Sequence, residues 1–445
     1  MGTSSSRFNQ SRSSQTSPSP SESAPSSPRQ SSSRRSWFNR HLLRVVQKLA
    51  GDVPVRLGDD GPVEKQAHVE PLRPAIVIRR KKTLAAIALN PDIGFGDAYS
   101  DGRIEVEGDL VRLLENLYQS PKSHSPGLVS RWLDWVQANT LRGSRRNIHH
   151  HYDLSNDFYR LWLDRQMVYT CAYFPHPDAT LEEAQAAKMD LVCRKLALRP
   201  DETVVEAGCG WGALALHMAQ HYGVRVKAFN ISHEQIAFAR ERAAKEGLAS
   251  RVEFIEDDFR NISGRFDVFA SVGMLEHLGV KNYGDLGRVI HRTIGDTGRG
   301  LLHFIGRNYP RPFNVWIRKR IFPGAYVPSL GEAMSVLEPQ DYSVLHVENL
   351  RAHYAKTLEH WLSRFEQSYP AVVERFGPNF ARAWRLYLAG SIAAFRVGSL
   401  QLFQIVFAGN KCAAQRWTWA GLHDNLGDTS AQQNQPEKKW IHAMS

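Results

Sequence analysis

From about residue 200 the chain alternates short apolar runs with amphipathic ones, and this alternation most constrains its fold. "TVVEA" at 203–207 is an apolar run, and "ALALHMAQHY" at 213–222 has helical spacing. "VRVKAF", "VEFIE", "FDVFASV" and "GLLHFIG" repeat the strand pattern, with "HEQIAFARERAAKEG" as a second helix ended by Gly247. Apolar strands joined by helices specify a parallel sheet covered on both faces. The predicted fold class is α/β, with a Rossmann-like, doubly wound sheet.

Between the first strand and helix lies "EAGCGWG", residues 206–212. Gly208, Gly210 and Gly212 let the backbone turn tightly and approach a ligand without a Cβ in the way. The spacing G-x-G-x-G differs from the dinucleotide G-x-G-x-x-G. Glu206 places a carboxylate at the strand's carboxyl end, where ligands of open α/β sheets bind. It suits a cationic or amino-bearing ligand better than a pyrophosphate. "EDDF" at 256–259 closes the third strand at the same edge.

A chain of 445 residues has room for two or three domains. Residues 1–35 are Ser, Pro, Gln and Arg with almost no apolar content, so they are expected to form a disordered arm. "WFNRHLLRVVQKLAG" from Trp37 reads as a basic amphipathic helix, which lies on a membrane or packs on its own domain. Residues 36–145 are expected to form a small α+β domain. There "AIVIRRKKTLAAIAL" is strand, basic turn and helix, and "NPDIGFGDAYSDG" is turn-rich before an alternating strand at 104–106. "RGSRRNIHHHY", residues 142–152, reads as a linker into a third region, 146–445. His149, His150 and His151 have no matching carboxylate or cysteine nearby, so no metal is expected.

The net charge of +11 implies an acidic partner, nucleic acid or an anionic membrane, or serves solubility alone. No apolar run approaches ~20 residues, so no transmembrane helix is expected. The polar start carries no apolar signal-peptide core. The four cysteines are widely separated, which excludes a disulfide framework and fits a reducing cytoplasm. One of them, Cys171, sits among aromatics in "VYTCAYF". Locally it reads as buried thiol, nucleophile or ligand.

Several stretches together resemble the cyclopropane-fatty-acyl-phospholipid synthase family. "EAGCGWG" is similar to motif I of S-adenosylmethionine-dependent methyltransferases. "HYDLSNDFYRLWLDRQMVYTCAYF" (151–174), "SVGMLEHLG" (271–279), "LLHFIG" (301–306), "WIRKRIFPGAYVPS" (316–329) and "RAHYAKTLEHW" (351–361) resemble the family's successive signatures. The resemblance covers about residues 148–410 and extends weakly to 37–147. It makes residues 36–145 a lipid-binding-type amino-terminal domain and 146–445 a class I methyltransferase domain.

The resemblance implies transfer of a methylene from S-adenosylmethionine to the cis double bond of an unsaturated phospholipid acyl chain. An isolated alkene is a poor nucleophile, and ring closure must shed a proton. The site therefore needs positioning, cation stabilisation and a base. The family match places Tyr169, Thr170, Glu206, Gly208, Gly210, Gly212, Ser232, Gln235 and Asp257 around the cofactor. It places a bound bicarbonate, as the base, among Cys171, Glu276, His303, Tyr354 and the backbone of Ile305. Tyr169, Tyr173, Phe174 and Phe304 are the candidate aromatic faces for the cation. Thr170 stands where many members have serine, and Phe229 and Asn230 depart from the usual small residue and threonine.

In residues 307–328, Arg311, Arg318, Lys319 and Arg320 would meet phosphate, while Phe313, Trp316, Ile317, Ile321, Phe322 and Tyr326 would enter the acyl boundary. The alternative is a solvated loop with buried anchors. The implied protein is cytoplasmic, peripheral to the inner face of the plasma membrane, and a possible homodimer. The rival enzyme reading is methyl or methylene branching at the same double bond without ring closure. No Asn/Asp-Pro-Pro-Tyr/Phe motif or nucleic-acid recognition fold is present, so no nucleic-acid partner is expected.

Overall fold

The computed structural model describes residues 29–58, 73–120, 155–414 and 418–424. The linker at 142–152, with its three histidines, lies outside them. The chain divides into two compact units, Met1–His41 and Leu42–Ser445. Helix α1 spans Arg29–Ala50. It includes residues 29–35 of the stretch read as a disordered arm. Extending a helix from an apolar segment is far cheaper than nucleating one. Residues 1–28 lie outside the described ones. In the first unit, Trp37 stacks on His41 with ring centroids 5.8 Å apart.

The second unit holds two sheets. The small one has the order β1 (Val55–Leu57), β2 (Ala75–Ile78), β3 (Ile104–Glu107), with β1–β2 parallel and β2–β3 antiparallel. Around it lie α2 (Lys82–Leu89), α3 (Pro91–Ser100) and α4 (Leu110–Gln119). Helix α3 occupies the stretch read as turn-rich. Asn90 caps it by accepting from the Ile93 N–H at 3.2 Å, and Pro91 opens the first turn. Its glycines serve close packing. A Cβ on Gly94 would lie 2.5 Å from the Ala86 carbonyl oxygen, and one on Gly96 would lie 2.4 Å from the Trp316 ring.

The large sheet has seven strands, β6 (Val252–Glu256), β5 (Arg225–Asn230), β4 (Thr203–Ala207), β7 (Val268–Val272), β8 (Arg299–Gly306), β10 (Gln401–Ala408) and β9 (Ser343–Asn349), in that spatial order. From β6 to β8 all pairs are parallel, as the alternation predicts. The expectation of a wholly parallel sheet is corrected by β10, which is antiparallel to β8 and β9. After β9 the chain runs through α11 (Arg351–Gln367), α12 (Tyr369–Phe376) and α13 (Pro378–Arg396), then re-enters the sheet from the other end. Helices α5 (Asn156–Arg160) and α6 (Leu181–Lys195) precede the sheet in sequence. Within it, α7 (Ala213–Tyr222), α8 (His233–Lys245), α9 (Tyr283–Ile294) and the short α10 (Leu330–Met334) connect strands.

One continuous apolar core joins the two sheets. It includes Ile76 and Ile104 of the small sheet, Trp162, Trp361 and Trp384 of the helical layer, and Cys171 and Tyr354. Helix α13 reinforces the junction. Its Arg382 donates to the carbonyls of Tyr99 at 2.6 Å and Ile104 at 2.8 Å.

Candidate active site

The order β5–β4–β7 reverses direction at β4, which makes the carboxyl edge between β4 and β7 the topological switch point. The glycine turn follows β4 there. Its Gly208 and Cys209 N–H groups donate to the Phe229 carbonyl at 2.9 and 3.1 Å, fixing the turn to the end of β5. Gly208, Gly210 and Gly212 all have left-handed φ, +83°, +54° and +82°. A Cβ on Gly208 would press Met274, and one on Gly212 would press Phe254. Only Gly210 faces open space, with nothing within 4 Å of its Cβ direction.

Asn230 ties the next loops together. Its amide donates to the Gly210 carbonyl at 3.3 Å and to Gln235 Oε1 at 2.6 Å. Ser232 caps α8 by accepting from the Gln235 N–H at 3.4 Å. The Asp257 N–H donates to the Asn230 carbonyl at 3.0 Å, and the Asp257 carboxylate accepts from the Asp258 N–H and Asn261. The residues predicted to hold the cofactor after β4, β5 and β6 therefore converge on one edge.

Beneath this edge lies a buried ionisable pair. Glu206 is buried, and desolvation pushes its carboxyl up to about 7 despite the opposing Lys188 charge. Its Oε2 has no protein hydrogen-bond partner. Lys188, on α6, donates to Thr170 Oγ1 at 3.1 Å. Burial depresses its ammonium to about 8, with Asp164, Cys171 and Glu206 working against the shift. Gln185, one turn earlier, holds the Thr170 carbonyl at 2.9 Å. Sequence reasoning missed Lys188 and Gln185. The available signal was Lys188 lying in the apolar stripe with Ala184, Leu191 and Val192.

The second half of the site follows β7. Gly273 turns with φ +74° and donates its N–H to the His303 carbonyl at 2.8 Å. Glu276 sits in the next turn, with Oε1 accepting from the Ile305 N–H at 2.5 Å. Its Oε2 has no protein partner, and burial raises the carboxyl to about 7. His303 Nδ1 meets Gln404 at 2.9 Å, while Nε2 has no protein partner. Burial, with Lys188 and Lys195 nearby, holds this imidazole well below its ordinary range, so it is neutral.

Cys171 is fully buried, its Sγ 3.1 Å from the Ala172 carbonyl and 4.0 Å from that of Leu350. Burial raises its thiol far above the usual range, which removes the thiolate a nucleophile needs. Tyr354 opens α11, packed on Phe395 at 4.7 Å. Tyr169 pairs its hydroxyl with that of Tyr387 at 2.9 Å, among Tyr159, Trp162 and Trp361.

The aromatic set expected around a cation is corrected at Phe304. On β8, His303 and Ile305 share one face, so Phe304 points to the other and packs against Phe403 at 5.9 Å. Tyr173 stacks on His353, and Phe174 stacks on His360 beneath Lys356.

The basic aromatic segment is mainly anchored. Trp316 is buried and donates to Asp97 at 3.1 Å, and Arg320 forms an ion pair with the same carboxylate. Arg318 and Ile321 are also buried, while Tyr309 and Lys319 remain exposed. Against the expectation that Arg318 meets phosphate, its side chain is buried, whereas Arg320 is exposed and ion-paired with Asp97. Among the described residues no helix is long and apolar enough to cross a membrane.

Residues 139–405 match the family described as mycolic acid cyclopropane synthetase. The chain belongs to this family. It is an S-adenosylmethionine-dependent methyltransferase. Residues 47–126 match a further family, DUF7884, a domain of unknown function. The cyclopropane-fatty-acyl-phospholipid synthase of Escherichia coli K12 is 40% identical, across 71% of this chain and 83% of that one. A probable fatty acid methyltransferase of Pseudomonas putida is 36% identical, across 70% and 81%. The tuberculostearic acid methyltransferase UfaA1 of Mycobacterium tuberculosis is 33% identical, across 81% and 89%. Among solved structures, the cyclopropane synthase MmaA2 of Mycobacterium tuberculosis superposes with a TM-score of 0.57 at 29% identity, covering 59% of this chain and 98% of that one. The mycolic acid cyclopropane synthase CmaA1, complexed with SAH and CTAB, gives 0.57 at 30%, covering 59% and 97%.

The residues present fit S-adenosylmethionine. Gly210 leaves room for a ligand at the switch point, and Glu206, at the end of β4, keeps a carboxyl oxygen without a protein partner.

Proposed function

We propose that the protein transfers a methylene from S-adenosylmethionine to the cis double bond of an unsaturated phospholipid acyl chain and closes a cyclopropane ring. The observation that carries this reading is the pair Glu276 and His303. Both are buried, both sit at the carboxyl edge, and each keeps one polar atom without a protein partner. The Escherichia coli relative, matched over most of its length, points to the same chemistry.

S-adenosylmethionine, when bound, supplies the electrophilic methyl. Gly208, Gly210 and Gly212 would cradle it, with Ser232, Gln235, Asp257, Tyr169 and Thr170 as its further binding residues. Cys171, Glu276, His303 and Tyr354 would hold a bicarbonate, which would supply the base for the proton shed at ring closure. Ile305 contributes its N–H by fixing Glu276 Oε1, so that Oε2 would be left to share a proton with such an anion. His303, whose Nε2 has no protein partner, would donate to that anion.

Branching without ring closure is the second reading, favoured by the relatives named as fatty acid and tuberculostearic acid methyltransferases. In either case the enzyme works from the cytoplasmic face of the membrane as a peripheral protein. Replacing Glu276 by Gln tests the reading. Turnover on monounsaturated phospholipid vesicles should fall by about 10²-fold or more. Calorimetric binding of S-adenosylmethionine should persist. Unchanged turnover would remove Glu276 from the chemistry.

A further inference from the structure

Three polar side chains stand in one row across the last three strands of the large sheet, β8, β10 and the edge strand β9. Gln404 on β10 lies directly opposite His303 on β8 and opposite Glu348 on β9. Partners in register share a face, so the three form a continuous polar strip. Strands β8 and β10 are otherwise mostly apolar and buried, while β9 is mixed and partly exposed. Gln404 is fully buried and His303 nearly so. Lys195, in the last turn of α6, has a fully buried side chain that ion-pairs with Glu348 and donates to Gln404 Oε1 at 2.5 Å. Burying such groups is costly unless each is satisfied, and packing alone would favour apolar residues here.

The donors settle the orientation of the amide. An ammonium only donates, so Lys195 requires the oxygen of Gln404. The Gln404 NH₂ is thereby turned to His303, where it donates to Nδ1 at 2.9 Å. Nδ1 accepts and carries no proton. We propose that Gln404, oriented by Lys195 and Glu348, is a positioning residue that locks His303 in the Nε2–H tautomer, so that the imidazole presents a donor to the site. This rests on the reading of His303 as an anion-binding group. The neutral ring, held so by burial and two nearby ammoniums, has only one ring proton to place. A neutral amide in the middle of the row also interrupts any proton relay from Lys195, so the row acts by orientation.

The test uses full-length protein labelled with ¹⁵N-histidine. Long-range nitrogen–proton correlation spectra report each ring's tautomer, and His303 is assigned by the signals lost in His303→Gln. The wild type should show Nε2–H. In Gln404→Glu, the carboxylate keeps Lys195 and accepts from Nδ1–H, so the tautomer should invert. Turnover should then fall about 10²-fold with KM for S-adenosylmethionine unchanged. Lys195→Met serves if the acidic variant does not fold. It frees the amide to rotate and should give both tautomers with an intermediate loss. An Nδ1–H wild type, or an inverted tautomer with unchanged turnover, would overturn the proposal. A wild type that turns over no lipid would overturn the substrate reading, while the tautomer is still decided by the spectra alone.

Discussion

Glu206 and Glu276 are buried carboxyls that titrate near neutrality, each because desolvation outweighs its favourable contacts. Both are raised from an ordinary value of 4.5, so the folded state binds protons that the unfolded chain releases. Their contribution to stability is complete below that value and is lost as pH rises through about 7. Lys188 acts in the opposite sense. Its folded value is depressed to about 8, so between there and its ordinary 10.5 stability rises with pH. Thermal denaturation of the ligand-free protein should therefore show Tm falling between about pH 5 and 7. Glu276→Gln should flatten that slope, and an unaltered slope would count against its titration. Gly210→Ala separates backbone strain from ligand contact. The left-handed φ costs about 1–2 kcal/mol, and no neighbour is struck. A modest fall in Tm should accompany a more than tenfold loss of S-adenosylmethionine affinity by calorimetry. Equal affinity would place the cofactor away from Gly210. The glycines and Glu206 were legible because their spacing is local. Lys188 and Gln404 were not, because their significance comes from partners on other elements.

The strands and helices from β4 to β8 were readable because each carries its own periodicity and turn residues. Helix α3 was not, because its glycines look like turn formers until Ala86 and Trp316 are seen against them. This competition can be measured. In an exposed helix, Gly→Ala gains about 1 kcal/mol. At Gly96 the added methyl would sit inside the Trp316 ring, and overpacking of that kind costs about 1–3 kcal/mol. Gly96→Ala should therefore lower Tm by several degrees, and a stabilised variant would show that the Trp316 anchor yields freely. Strand β10 escaped notice for another reason. "QLFQIVFA" is apolar apart from Gln401 and Gln404, so it reads as buried, but nothing local sets its direction. The misplacement of Phe304 was avoidable, since the strand period puts His303 and Phe304 on opposite faces.

At the scale of the molecule, the small sheet and the methyltransferase sheet share a core. The boundary drawn in the sequence therefore separates two folding patterns within one packed unit. Its net charge of +11 predicts attraction to anionic vesicles that weakens as salt shortens the Debye length from about 10 Å at 0.1 M to about 3 Å at 1 M. Sedimentation with anionic and zwitterionic vesicles at both salt levels checks this, and salt-independent binding would assign the interaction to apolar contacts. The central claim concerns the product. Purified protein is incubated with S-adenosylmethionine and vesicles of monounsaturated phospholipid, and the lipid is analysed by mass spectrometry and proton NMR. The account predicts a gain of one CH₂, loss of the vinyl signal and new upfield ring protons. A CH₂ gain with a terminal methylene or methyl branch would transfer the protein to the branching reaction, and no gain with any headgroup would contradict the lipid assignment outright.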